Sequence, residues 1–293
     1  MHNVRLVPLV RHVPLALGLI GAASIAPAQS GTTLLSDAAL GYSYSSKAGL
    51  NRGGKVGDVA IQHYDLEWNT KTPLTASSTL LTGLSCRRDS LDLSAGVPLP
   101  NRLESVGLSV GVNDRFAPGW SFTGLLRPNL SGDALDLSGP NLNVAAIASV
   151  GCEASKDFSW SAGVAAALRS RYHVLPIGGA RWRFSPDWTF AVGFPETGVA
   201  FKASDALTVK AGARIQGGDY RMTKARAPGL GDTYLEYREI RLGGGFEYTV
   251  EDHLSLEFDG GAVLNRRFDY YDRDYRLNGS SAAYLRVSAR IRF

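Results

Sequence analysis

The chain ends on Phe293, and that aromatic residue closes a segment that alternates apolar and polar side chains back to Ala283. Ala283, Leu285, Val287, Ala289, Ile291 and Phe293 share one phase; Tyr284, Arg286, Ser288, Arg290 and Arg292 share the other. Strand side chains alternate with period two, so this segment has one oily face and one basic face. Soluble sheets rarely close a polypeptide in this way behind an export signal, whereas bacterial outer-membrane barrels do. The expectation is an all-β fold, a transmembrane antiparallel up-and-down β-barrel, with Phe293 as its C-terminal assembly signal.

The start of the chain agrees. Arg5 and Arg11 are followed by an apolar stretch from Val13 to Ile25, then Ala26-Pro27-Ala28 before Gln29. This pattern predicts a cleaved signal peptide over residues 1-28 and a barrel domain over 29-293. The apolar run is short of the roughly 20 residues a membrane helix needs, and Pro27 interrupts its end. No cysteine follows the cleavage site, which argues against a lipid anchor there.

Composition suits a barrel in which every second residue meets lipid. The sequence has 33 Gly, 5 Trp, 12 Tyr and 11 Phe, yet only 44% hydrophobic residues and a mean hydropathy of -0.07. Without Arg5 and Arg11, 29 of the 31 basic residues remain against 27 acidic ones. That balance gives no support for nucleic acid as a partner. Cys86 and Cys152 fall in phase with apolar neighbours on strands that are not adjacent, so two unpaired thiols are expected. Neither a metal nor another cofactor is implied, since no His or Cys companions surround them.

Short turns recur along the chain: Ala117 to Phe122, Ser155 to Trp160 and Ser185 to Phe190, with looser copies at Ala203 to Thr208 and Val250 to Ser255. Pro, Gly and Asp favour tight turns, and the aromatic residue that follows opens a new alternating strand. Longer polar connections lie between them at Ser46 to Gly57, Asp89 to Arg102, Pro128 to Asn141, Arg221 to Asp232 and Phe268 to Ser280. The intervening strands are 37-45, 58-70, 78-88, 103-114, 119-127, 142-154, 157-169, 175-184, 187-194, 197-203, 206-220, 233-249, 252-267 and 281-293. In that count of fourteen all the tight turns share one rim, as in barrels with short periplasmic turns and longer external loops. The strands around Phe194-Pro195 are short, and if they are misread the count is twelve. Trp120, Phe122, Phe158, Trp160, Trp188 and Phe190 each stand just after a turn, where an interfacial girdle belongs.

The runs Tyr237-Arg238-Glu239-Ile240-Arg241 and Asn265-Arg266-Arg267-Phe268-Asp269 are fairly specific. With Ile177-Gly178-Gly179-Ala180-Arg181-Trp182 and Gly193-Phe194-Pro195, they make the chain from about 176 to 270 resemble a family of bacterial outer-membrane β-barrel proteins of unknown function. The resemblance implies an outer-membrane barrel in a Gram-negative bacterium and no particular substrate.

The polar phase of the strands predicts a charged lumen: Asp65, Glu67, Arg181, Arg183, Lys210, Arg214, Glu239, Arg241, Glu247, Glu257, Asp259, Arg286, Arg290 and Arg292. Read structurally, these groups form ion pairs that fill a narrow barrel, since an unpaired buried charge is costly. Read functionally, they line a selective pore with an arginine ladder that favours anions.

Chemistry finds little support. His63, His173 and His253 remain after signal removal; only His63 alternates in phase with carboxylates, Asp65 and Glu67. No Walker loop or His-Glu-x-x-His pattern is present, so no catalytic residue is assigned and a non-enzymatic protein is expected.

Tyr270, Tyr271 and Tyr275 stand among mixed charges in the connection after Arg266 and suggest an external contact surface; the alternative is a solvated hairpin. The reading is a passive outer-membrane pore for polar solutes with a charged, Arg-rich lumen. Its alternatives are a plugged barrel with a structural or surface-binding role and, third, an outer-membrane hydrolase. The expected partners are outer-membrane lipid and, through the last strand, the barrel-assembly machinery, with a monomer favoured.

Overall fold

The computed structural model describes residues 35-135 and 139-293, and the signal peptide lies outside the described residues. The strands are β1 (Leu35–Asn51), β2 (Lys55–Pro73), β3 (Ser78–Leu93), β4 (Arg102–Ala117), β5 (Trp120–Gly132), β6 (Leu142–Glu153), β7 (Phe158–Ala167) and β8 (Val174–Arg183). They continue as β9 (Trp188–Gly193), β10 (Glu196–Lys202), β11 (Leu207–Met222), β12 (Thr233–Glu251), β13 (Leu254–Tyr270), β14 (Tyr275–Gly279) and β15 (Ala282–Arg292). From β1 to β14 each strand pairs antiparallel with the next, and β15 closes the sheet on β1 from Asp37↔Arg292 to Ser45↔Tyr284. β14 and β15 lie end to end between the same two neighbours, β13 and β1. Fifteen segments therefore make fourteen staves of one closed antiparallel barrel, which settles the strand count at fourteen.

Alternation sets the two faces. On β1, Leu40, Tyr42 and Tyr44 are exposed outward while Ser43 and Ser45 are buried inward. Outward aromatics gather just past the tight turns: Trp120 meets Trp160 edge-on at 5.6 Å, and Trp188 packs on Phe201 at 4.8 Å between ring centroids. Such a belt is where amphipathic rings settle at a membrane boundary. Cys86 and Cys152 are free and lie on the outward phase, opposite Leu66 and Trp120 respectively.

The two rims differ as the turn signals predict. The turn rim carries short reversals such as Pro118-Gly119, where Gly119 takes φ 75° without a Cβ penalty. At the opposite, loop rim the strands run further than polarity suggested. The β1–β2 hairpin closes around residues 52-54, where a connection from Ser46 to Gly57 was expected, and β13 turns into β14 between Tyr270 and Tyr275. The ladders persist because Leu50, Val59, Phe268 and Leu277 have an apolar interior to face; all four are fully buried.

The wall is uneven. β9 and β10 have 6 and 7 residues, β11 and β12 have 16 and 19. β11 leaves β10 at Glu196↔Arg214 and reaches β5, where Arg221 pairs in parallel with Gly132. The Asp133 amide donates to the Arg221 carbonyl (3.0 Å), and the Ser131 hydroxyl donates to the Asp219 carbonyl (2.7 Å). Above the low wall of β6 to β10, the tall strands thus close upon one another. That upper ring is filled by side chains, with Val97 and Leu99 of the β3–β4 connection and Leu230 of the β11–β12 connection packed among Leu91, Leu103, Met222 and Leu235.

Candidate functional site: a divided lumen

The interior has three regions of different chemistry. The first is a buried ionic core beneath the apolar plug. Register puts His63 opposite Asp89, and Glu239 opposite Arg266. His63 Nδ1 lies 2.6 Å from Asp89 Oδ1, which Arg87 also contacts through Nε (3.1 Å), and the Tyr220 hydroxyl donates to Asp89 Oδ2 (3.0 Å). Glu239 receives Arg241 Nε (2.6 Å) and Arg266 Nε (3.1 Å), and these guanidinia reach back to Ser43 (3.0 Å) and Ser45 (2.6 Å) on β1. His63, Asp89, Glu239, Arg241 and Arg266 are each at most 2% exposed. Charges this deep persist only when each is paired and hydrogen-bonded.

The second region is an ion-pair ladder lower on the wall of β10 to β15. Lys210 bridges Glu247 (2.5 Å) and Glu257 (3.2 Å); Arg286 reaches Glu257 (3.4 Å), Asp259 (3.7 Å) and Asp65 (3.9 Å); Arg214 holds Glu196 (2.9 Å). A cavity of ≈ 410 Å³ opens beside it, bounded by Arg181, Lys210, Arg214 and Glu257. Its floor is a row of small inward residues in register, Ala191, Gly198, Gly212 and Gly243. A Cβ at Gly212 or Gly243 would strike the carbonyl oxygen of Thr197 or Gly260 across the ladder, so the close approach of strands here requires glycine. At the turn rim a second cavity, ≈ 530 Å³, is edged by Arg181, Arg183, Lys202 and Asp157.

The third region is the inward face of β4 to β8. It carries Ser109, Gly111, Thr123, Ser149, Ser161 and Gly163, and its one inward carboxylate, Glu153, sits at the turn rim. The same face also holds Leu125, Ile147, Leu175 and Ile177, and besides Arg183 at the turn rim two cations stand well within it: Arg127 on β5 and Arg181 on β8. Both are exposed inside the barrel, and neither has an ion-pair partner among the described residues.

The sequence-derived lumen residues thus separate. Glu239 and Arg241 belong to the sealed core. Asp65, Lys210, Arg214, Glu247, Glu257, Asp259 and Arg286 form the ladder. Arg183 pairs with Asp157 of a turn at 3.0 Å. Glu67, Arg290 and Arg292 are exposed near the turn rim with no ion pair among the described residues. Of the proposed arginine ladder, Arg286 is therefore neutralised by carboxylates.

Arg87, Asp89, Arg266 and Arg127 were not expected in the lumen. Strict alternation through Glu257 and Asp259 puts Arg266 outside, but a bulge between Val263 and Asn265 shifts the phase by one residue. The polar run Asn265-Arg266-Arg267 is the trace of that shift in the sequence. Arg87 and Asp89 sit at and just beyond the expected end of their strand, and their inward phase becomes visible only once β3 runs on to Leu93.

The tyrosine contact surface needs correction. Tyr270 stands on the inward phase of β13, is fully buried and donates its hydroxyl to the Pro98 carbonyl at 2.7 Å. Tyr275 packs edge-on against Tyr270 (6.0 Å) beneath the Arg52 guanidinium (3.9 Å), and Tyr271 stacks on Tyr234 (6.2 Å). These rings fasten loops to the plug. No group of three or more His, Cys, Asp or Glu side chains able to hold a metal is present among the described residues.

Among solved structures, the chain resembles a deltaS2 mutant of the TodX monoaromatic hydrocarbon channel, TodX being a toluene transporter of Pseudomonas putida (TM-score 0.55, 11% identity, 90% of this chain and 91% of that one). It also resembles an outer-membrane channel from Pseudomonas putida F1 (TM-score 0.50, 12% identity, 92% and 100% covered). At such identities the likeness is one of fold: a barrel built as outer-membrane channels are. Comparison with curated proteins gives no match. The family described as Domain of unknown function (DUF6268) matches residues 66–285, and the chain belongs to it.

Proposed function

We propose that the protein is a passive outer-membrane channel for small polar solutes, with its turn rim in the periplasm and its loop rim outside. The carrying observation is the asymmetry of the lumen. Arg127 lies well along β5 from Trp120 and points inward, yet it is exposed; across the barrel, the inward residues beyond Asp65, namely His63 and Ile61, are buried. Water therefore borders the β4–β8 wall, while the facing wall is occupied by its own ion pairs. A path that passes serine, threonine and two arginines, alongside Leu125, Ile147 and Ile177, supports hydrated solutes over the monoaromatic hydrocarbons in the name of TodX because the guanidinia carry charge into it. Export through the N-terminal signal, folding by the barrel-assembly machinery through the last strand and contact with outer-membrane lipid complete this reading.

The apolar plug favours a second reading, a closed barrel with a structural role. Swelling of proteoliposomes in isosmotic solutions of graded polar solutes separates the two. A channel lets small solutes in faster than large ones; a sealed barrel, confirmed as folded by its heat-shift on a gel, admits none.

A further inference from the structure

We infer that Arg127 and Arg181 are the anion-recognising residues of this lumen, selecting small solutes that carry a carboxylate, phosphate or sulfate. The inference rests on the channel reading and adds its substrate class. Most inward cations that cluster with carboxylates are spoken for: Lys210, Arg214, Arg241, Arg266 and Arg286 each have one within 4 Å. Their fields are largely cancelled, and they have few donors to spare for a passing solute.

Arg127 and Arg181 differ on each count. Both are exposed within the barrel, and neither has a carboxylate within ion-pair distance among the described residues; Arg290 and Arg292 share this, but they stand on the facing wall at the turn rim, outside the lining of either cavity. Their cross-strand neighbours in register are small, Ala145 beside Arg127 and Ser159 and Ala191 beside Arg181, so an anion can approach the planar guanidinium fork, which matches oxyanion geometry with two parallel hydrogen bonds. Arg181 also borders both cavities, placing it at the passage from the turn-rim vestibule to the inner chamber. In its row across the sheet, Ser159 separates it from Glu153, the nearest inward carboxylate of that wall. Arg127, three strands away and further from the turn rim, offers a second station. An anion entering from the vestibule meets Arg181 first and Arg127 deeper in.

The test reads local potential without requiring conduction. In a Cys86→Ser, Cys152→Ser background, Ser161→Cys places one thiol on β7, opposite Gly179 and one inward step from Arg181's row. Its modification rates by sulfonate-bearing and trimethylammonium-bearing methanethiosulfonates are compared, each normalised to a free small thiol. The expected ratio favours the sulfonate by about fivefold at low salt, falls toward one in Arg127→Gln/Arg181→Gln, and is restored in Arg127→Lys/Arg181→Lys. A ratio unchanged by the glutamine substitutions in folded barrels would overturn the assignment. If the ratio behaves as expected while liposomes do not swell, the anion site stands and the channel reading fails.

Discussion

Glu239 shows how much one side chain carries in this barrel. It is fully buried and balances two guanidinia, those of Arg241 and Arg266. Replacing it with glutamine keeps the shape and leaves both cations short of a counter-charge, at a cost of about 3–5 kcal/mol. Denaturant unfolding of Glu239→Gln against wild type in the same lipid measures this, and a loss well under 1 kcal/mol would contradict the buried ionic core. Tyr270→Phe removes a single hydrogen bond to the β3–β4 connection and is expected to cost about 1 kcal/mol. Faster proteolysis around Pro98 would report the loosened loop. At this scale the sequence was legible wherever alternation held: Lys210, Glu257 and Arg286 face inward as their phase says. It was opaque where the bulge after Val263 moved Arg266 from one face to the other, because phase counting has no memory of an inserted residue.

At the scale of single strands, β4 shows both faces of the wall. Leu108 is outward and 59% exposed, while Ser109 points to the hydrated side of the lumen. Leu108→Arg puts a charge into lipid near the middle of the strand and is expected to cost about 2–4 kcal/mol. Ser109→Arg should fold nearly as well as wild type, as heat-shift gels and unfolding midpoints of the pair will tell; equal effects would reject the facing of β4.

Elements also account for what polarity misled. The hairpin tops of β1–β2 and β13–β14 read as loops because Asn51, Arg52, Asp269 and Asp272 are polar, yet their alternate residues, Leu50 and Phe268, are inward and apolar. Part of the plug came from connections rather than strands, and Val97-Pro98-Leu99-Pro100 carries no periodicity to announce that it folds inside. Replacing these four residues with a Gly/Ser stretch of equal length empties part of the upper ring. The expected outcome is lower thermal stability with a larger conductance, and an unaltered conductance would mean that the solute path lies wholly beside the plug.

Viewed as one object, the barrel divides its interior rather than filling or emptying it. Tall strands and inward loops close one part, carboxylate–cation pairs occupy the facing wall, and the sector from β4 to β8 keeps a largely uncharged face in which Arg127 and Arg181 stand without an ion pair among the described residues. Uneven strand length makes this division possible, since β11 must cross above the low wall to reach β5. The contact of β11 with β5 joins distant parts of the chain and could not be read from any local pattern.

The most direct test is single-channel recording of the refolded, signal-free protein in a planar bilayer, after a heat-shift gel shows that the barrel has folded. The account predicts stable, reproducible steps and a reversal potential in a salt gradient on the side of anion preference. Silence from a folded, inserted barrel would contradict the channel, and cation preference would contradict the role given to the β4–β8 wall.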